Sequence, residues 1–247
     1  MSNAGHEREL TEELLSIELN GKRLAAAFHH ASSRDIVIFC HGFRGTKIGP
    51  SRFFVRAARL LASRDVCSLR FDQYGSGDSD GDFMDSSFDD WVASIIGLAN
   101  RYFGLGYRIG LVGQSMGGAA VIASAMALGD QLSSAVLWAP DPSVDSYEES
   151  EDWSEEGGER VQARYWREAH HAGLIDQYRQ LQCPTMVFVP TDDIYVSAEN
   201  QRSLVESAGP HHRVVPLEGW VHSGWSHDQA TLVIGQSVTF LAAGFGR

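Results

Sequence analysis

The chain has 247 residues, of which 43% are hydrophobic and 21% charged, and its formal net charge is −12. That length supports one large core, and that balance excludes the disordered and fibrous classes. The acid excess, with no basic stripe, speaks against nucleic acid and anionic membrane as partners, and no apolar run has the length of a bilayer-spanning helix.

The opening MSNAGHERELTEELL is too polar and acidic for a secretory signal, so a cytoplasmic protein is expected. Residues 14–29 read as two strands about Asn20–Gly21, a hairpin signal. DIVIFCHG (35–42) is a continuous apolar strand, FFVRAARLLAS (53–63) has helical spacing, and VCSLRFD (66–72) returns to strand. Gly, Ser and Asp then fill a long loop, 73–83, before a helix over 88–104 with Trp91, Ile95 and Leu98 on one face. YRIGLVG (107–113) is a strand, 117–129 its helix, and SAVLWAP (134–140) the next strand. PTMVFVP (184–190), a helix near 197–208, HHRVVPL (211–217) and a last helix over roughly 229–243 continue the alternation. Solid apolar strands between helices imply a mostly parallel sheet covered on both faces. The three cysteines, Cys40, Cys67 and Cys183, are odd in number, and buried free thiols in a reducing compartment are the simplest expectation.

Residues 141–181 break the rhythm with the acid-rich DPSVDSYEESEDWSEEGGE and an expected helix, RVQARYWREAHHAGLIDQYRQL. The segment reads as an insertion beside the sheet, too short for a core of its own but able to cap a pocket.

A doubly wound sheet places its chemistry in loops at the carboxyl ends of strands, and Ser115 is at such an end. Gly113-Gln114-Ser115-Met116-Gly117 is G-x-S-x-G, a sharp strand-to-helix turn, and the apolar strand before it and small-residue helix after it supply the context. A plain turn serine is the competing reading. A serine hydroxyl needs a base, and the base an orienting acid. Ten histidines leave the base open by composition, but His222 lies in the strand-end loop GWVHSGW before the last helix. His227 lies nearer that helix, where capping or exposure accounts for it. The pairs His29–His30, His170–His171 and His211–His212 look exposed, and no cysteine or carboxylate pattern accompanies them, so no metal is expected. For the acid, Asp192 and Asp193 follow TMVFVP directly, one able to orient His222 while the other caps the next turn; Asp141, after the preceding strand, is a third candidate. Chain order Ser…Asp…His suits this topology.

An oxyanion site would draw on the Met116 N–H and on the Phe43 N–H in CHGFRG, where Gly42 admits close backbone approach; an ordinary glycine turn is the alternative. His41 is expected to brace that loop. The acids of DSDGDF, at 78, 80 and 82, have calcium-like spacing, but an EF-hand loop from Asp78 would need Gly and Glu where Phe83 and Asp89 stand.

These residues form a pattern that resembles the α/β-hydrolase superfamily over nearly the whole chain. Within it, the chain is similar to serine esterases related to cinnamoyl and feruloyl esterases and to monoglyceride-lipase-like hydrolases. The likeness rests on HGFRGTK (41–47), SLRFDQYGSGDSDG (68–81), GLVGQSMGG (110–118), PTMVFVPTDDIYV (184–196) and the GWVH ending at His222. It implies one domain over 1–247, with a mostly parallel doubly wound sheet, flanking helices, and 141–181 as a small acidic cap-like insertion. It favours Asp193 as the acid, because Val196 follows at the family's spacing, and carries the oxyanion donors to Phe43 and Met116. Pro190, where related segments have glycine, departs from the pattern and allows a different acid loop. The inserted region often lines the pocket in this family, which makes Tyr147, Trp153, Tyr165 and Trp166 candidate aromatic walls; ordinary packing explains them equally well.

The expectation is a cofactor-free serine esterase acting through an acyl-enzyme on a small-molecule ester, small or aromatic in its acyl part, with thioesters also in range. Thioesterase, lactonase, carbon–carbon bond hydrolase or peptidase chemistry on the same fold stands as the enzymatic alternative. A non-catalytic ligand-binding module with a degenerate pocket stands as the other. Ser115 argues against reactions that need a carboxylate nucleophile. The acidic surface speaks for solubility and leaves the oligomeric state open.

Overall fold

The computed structural model describes residues 12–142, 153–156 and 158–247. It begins with the hairpin of β1 (Glu12–Leu19) and β2 (Lys22–His29), joined by Asn20 and Gly21 at φ 52° and 74°. The chain then runs through β3 (Asp35–Cys40), α1 (Phe53–Ser63), β4 (Cys67–Phe71), α2 (Phe88–Gly104), β5 (Arg108–Gln114), α3 (Met116–Leu128) and β6 (Leu132–Trp138). The insertion contributes β7 (Trp153–Glu156), β8 (Glu159–Gln162), α4 (Ala163–His171) and α5 (Leu174–Gln180). β9 (Thr185–Pro190), α6 (Ala198–Glu206), β10 (His212–Leu217) and α7 (His227–Gly244) complete the described fold.

Eight strands form one sheet in the order β1-β2-β4-β3-β5-β6-β9-β10. The first two pairings, β1 with β2 and β2 with β4, are antiparallel, and all others are parallel. The solid apolar runs behave as parallel strands must, with alternate residues feeding opposite faces. In β3, Ile36, Ile38 and Cys40 enter a core shared with Trp91, Ile95 and Leu98 of α2, while Val37 and Phe39 enter one shared with Phe54 of α1 and Val233 of α7. Each fully buried side chain of this kind contributes about 1.5–3 kcal/mol, and together they hold the carboxyl ends of β3, β5, β9 and β10 as a rigid platform. No helix among the described residues is long and apolar enough to cross a membrane.

The insertion differs from the single helix expected over 160–181. Residues 159–162 pair antiparallel with 153–156, and helix begins only at Ala163. Gly173, at φ 62° and ψ 43°, then separates α4 from α5. Both helices pack on the face of the sheet that carries α2 and α3, through Tyr165, Ala169, Leu174 and Tyr178. A second correction concerns His29, expected to be exposed: it is buried, with its Nε2 2.9 Å from a Glu12 carboxylate oxygen. The cysteines are all free thiols, Cys40 and Cys67 buried and Cys183 only half-buried.

Candidate active site

Ser115 stands between the end of β5 and the start of α3 with φ 53° and ψ −125°. A non-glycine residue held there stores about 1–3 kcal/mol, so its surroundings must fix it. They leave no alternative path: a Cβ on Gly113 would lie 2.5 Å from the Gly117 carbonyl oxygen, and one on Gly117 would lie 2.3 Å from the carbonyl oxygens of Cys40 and His41. The Ser115 N–H donates to the Trp138 carbonyl at 3.0 Å, and its own carbonyl accepts from Gly118 N–H at 2.7 Å. The backbone is thus fully engaged while the side chain remains half-buried at the surface. Met116 opens α3, so its N–H has no partner inside the helix and carries the positive end of the dipole.

The loop after β3 lies against this turn. A Cβ on Gly42 would sit 3.0 Å from the Ser115 Cβ, so the segment that bears the Phe43 N–H closes on the serine. His41 braces it, as its place in the sequence leads one to expect. Its Nδ1–H donates to the Gly42 carbonyl at 2.8 Å, and its Nε2 accepts from the Gln73 N–H at 2.9 Å. That pattern requires the neutral ring, and complete burial pushes its pKa below the ordinary value. Farther along, Lys47 Nζ lies 2.6 Å from Asp72 Oδ2 and 2.6 Å from Asp78 Oδ2. Asp72, wholly buried, also accepts from the backbone N–H groups of Lys47 and Asp78. Arg70 Nη1 donates to the Lys47 carbonyl at 2.7 Å. Sequence position carries no signal for this network, because its members lie on three separate segments.

On the other side of β5, His222 Nδ1 is 2.6 Å from Asp193 Oδ2, with only 8% of His222 exposed. Asp193 Oδ1 accepts from Tyr195 N–H at 2.8 Å and Val196 N–H at 3.1 Å. One aspartate therefore performs both tasks that had been divided between neighbours: it holds the histidine and it turns the chain, while Ser197 caps α6. Asp192 is exposed and is tied in through its backbone, whose N–H donates to the Trp220 carbonyl at 2.9 Å. Asp141 meets the serine turn through its backbone, its N–H 3.4 Å from the Ser115 carbonyl. The ring of Tyr195 lies 5.2 Å from the His222 ring, a neighbour that sequence reasoning missed. His227 is exposed at the first position of α7, next to the Ser226 cap.

The four candidate pocket aromatics part company. Tyr147 lies outside the described residues. Trp153, on β7, is 39% exposed and is covered by the Arg160 guanidinium, 4.3 Å from the ring centre. Tyr165 and Trp166, on α4, pack on Phe43 with ring centres 5.5 and 4.6 Å away, and Phe83 meets Phe43 at 4.9 Å. Tyr165 is fully buried, and its hydroxyl has no hydrogen-bond partner among the described residues. The insertion thus touches the loop that carries the expected oxyanion donor. Asp78 and Asp80, two of the acids with calcium-like spacing, pair with Lys47 and Arg23. Among the described residues, no group of three or more His, Cys, Asp or Glu side chains is placed to hold a metal ion.

A family model described as serine aminopeptidase, S33, matches residues 31–153. Among solved structures, Est1E from Butyrivibrio proteoclasticus with bound ferulic acid superposes with a TM-score of 0.83 at 22% identity, covering 94% of this chain and 100% of that one. Mouse alpha/beta hydrolase domain-containing protein 10 superposes at 0.80 with 17% identity, covering 94% and 99%. A monoacylglycerol lipase from Paleococcus ferrophilus superposes at 0.76 with 18% identity, covering 90% and 99%. No curated protein sequence matches. At these identities the likeness is one of fold, extending over nearly the whole chain.

Proposed function

We propose that the chain, which shares the fold of the α/β hydrolases it superposes on, is a member of the α/β-hydrolase superfamily and a serine esterase working through an acyl-enzyme. The observation that carries the reading is the 2.6 Å contact of His222 with Asp193, made by two loops at the same sheet end as the strained Ser115 turn. In this reading His222 removes the Ser115 proton as Oγ attacks the ester carbonyl. Asp193 accepts from Nδ1–H, which leaves Nε2 free to act as the base. The N–H groups of Phe43 and Met116 receive the charge of the tetrahedral oxyanion, and the positive end of α3 adds to them. His222 then protonates the departing alcohol and activates the water that releases the acid.

A small or aromatic acyl group fits best. The rings of Phe43, Phe83, Tyr165 and Trp166 form one aromatic cluster at the oxyanion loop, suited to a flat acyl chain. The ferulic acid held by Est1E points the same way. Intact-mass analysis after exposure to a fluorophosphonate probe tests the nucleophile. Wild type is expected to gain one adduct and S115A none; an adduct on folded S115A, or none on folded wild type, overturns the assignment. Turnover of feruloyl and p-nitrophenyl esters then tests the acyl preference. The serine aminopeptidase match favours a second reading, amide cleavage by the same residues. Faster turnover of aminoacyl amides than of the corresponding esters would establish it in place of the first.

A further inference from the structure

A cleft of about 410 Å³ opens beside the turn that carries His222, lined by Ser51, Arg52, Phe53, Arg56, Arg59, Trp225 and His227. In a chain of net charge −12, its charged lining is entirely cationic: three guanidiniums and no carboxylate. Among the described residues none of these arginines forms an ion pair; the nearest thing to a partner is Thr231, whose Oγ1 accepts from Arg56 Nη2 at 2.6 Å. Several other cations of the chain do meet carboxylates, as Arg108 meets Asp35 at 2.6 Å and Lys22 meets Asp90 at 2.7 Å. Three guanidiniums gathered around one concavity repel each other, and an occupant of opposite charge removes that cost.

The rest of the lining sharpens the class of occupant. Phe53 and Trp225 stack with ring centres 5.6 Å apart and planes at 18°, which gives the cleft a flat apolar floor. The Trp225 Nε1–H donates to the Val221 carbonyl at 2.8 Å, so the floor is fixed to the His222 turn. The amino end of α1 also faces the cleft. Its N-cap is Arg52, which makes no side-chain cap, and no acidic residue stands in its first turn. The backbone there is bent to present these groups: Ser51 and Arg52 both hold left-handed conformations, at φ 47° and 64°, without a glycine. Guanidiniums arranged around a concavity match the paired oxygens of phosphate or carboxylate, and the helix end adds to the same field. The volume is that of a small-molecule site, and the arginines cluster where a nucleic-acid surface would need a stripe.

We propose that this cleft is a binding site for a small organic anion, a phosphate or carboxylate borne on a flat apolar body. None of Ser115, Asp193 and His222 lines the cleft, and the proposal is independent of whether Ser115 is a nucleophile. The guanidiniums of Arg52 and Arg59, both on exposed side chains, grip the charged head together with Arg56, while the body of the ligand lies on Phe53 and Trp225.

Titration calorimetry on the full S115A chain, which separates binding from turnover, tests this with phenyl phosphate, benzoate, inorganic phosphate and phenol. Saturable binding of phenyl phosphate or benzoate is expected, the tighter of the two naming the head group, with inorganic phosphate weaker and phenol silent. In R52Q/R59Q, which spares the Arg56–Thr231 contact and the aromatic floor, affinity is expected to fall about a hundredfold, about tenfold per guanidinium. Circular dichroism and the melting temperature establish that the variant is folded. Binding of phenol as tight as that of phenyl phosphate, no saturable binding of either anion, or unchanged affinity in the folded double variant would each overturn the proposal.

Discussion

Two loop systems leave the sheet on opposite sides of β5, and they are held in opposite ways. The segment after β3 is fastened from beneath by buried polar groups: His41 between Gly42 and Gln73, and Lys47 on the wholly buried Asp72. The insertion packs on top of it through Trp166 and Tyr165. The segments after β9 and β10 are joined by the Asp193–His222 contact within a rim that leaves Ile194 84%, Tyr195 63% and Val221 49% exposed. Stabilising a developing oxyanion needs dipoles that do not move, and burial supplies that. Holding a base needs one well-placed acceptor. The difference predicts that damage to the first side unfolds the protein and damage to the second silences it.

The largest effect belongs to the second side. D193N preserves the shape of the side chain but replaces the acceptor of the His222 Nδ1–H, and kcat is expected to fall roughly a thousandfold or more with little change in melting temperature. D192N, on an exposed side chain, is expected to stay within about twofold, the range of an ordinary surface substitution. D141N should lose far less than D193N. A greater loss in D141N or D192N than in D193N would reverse the assignment of the acid. An equal collapse of melting temperature in D193N would erase the contrast between the two sides.

The first side predicts the reverse pattern. K47M strands Asp72, whose side chain has no exposure, without its counter-charge, and removing one partner of a buried pair costs about 3–5 kcal/mol. For a chain of this size that is a fall of about 10 °C in melting temperature. K22M, which breaks the half-exposed pair with Asp90, is the control and should cost no more than about 1 kcal/mol. Equal melting temperatures for the two variants would mean that the Lys47 network does not anchor the loop.

How much of this was legible follows the same division. The central strands announce themselves as unbroken apolar runs, Asn20–Gly21 marks its hairpin, and the helices expected at 53–63 and 88–104 fall at those bounds. Ser115, Asp193 and His222 could be singled out because each follows a strand, which is where this topology exposes side chains. The insertion was misread because nothing in its periodicity distinguishes a strand at 159–162 from the first turn of a helix; only its partner at 153–156 does. Gly173 was the available warning that the helix would break. Lys47 with Asp72 and Asp78, and Glu12 with His29, are pairings across separate segments, set by tertiary packing and silent in local pattern. The cleft was half legible: Arg56 and Arg59 share a face of α1 by their spacing, but Arg52 at the N-cap, Trp225 and His227 join them only in the fold.

The smallest effect is one of pH, and it returns to His41. Burial lowers its pKa, against the opposing pull of the Gly42 carbonyl and Asp72, because the fold accommodates the ring only when neutral. Protonation of Nε2 would turn the acceptor of the Gln73 N–H into a second donor facing it. The unfolded chain takes up that proton near the ordinary value of 6.5, while the folded chain resists it to lower pH. The stability due to this histidine is therefore complete above about pH 6.5 and is lost as pH falls from there through the folded pKa, with a slope of at most about 1.4 kcal/mol per pH unit. His29 and His212, whose pKa values burial also lowers, add to the loss in the same direction. Melting temperature against pH should decline on the acid side of 6.5, and H41Q should show a shallower decline from a lower plateau. Nitrogen-detected NMR of the wild-type chain gives a direct check: at about pH 6.5, where a free imidazole is half protonated, the His41 ring should be mostly neutral with its proton on Nδ1. A doubly protonated ring in the folded protein would show that the loop tolerates the charge, and the brace beneath the oxyanion segment would be weaker than its geometry implies.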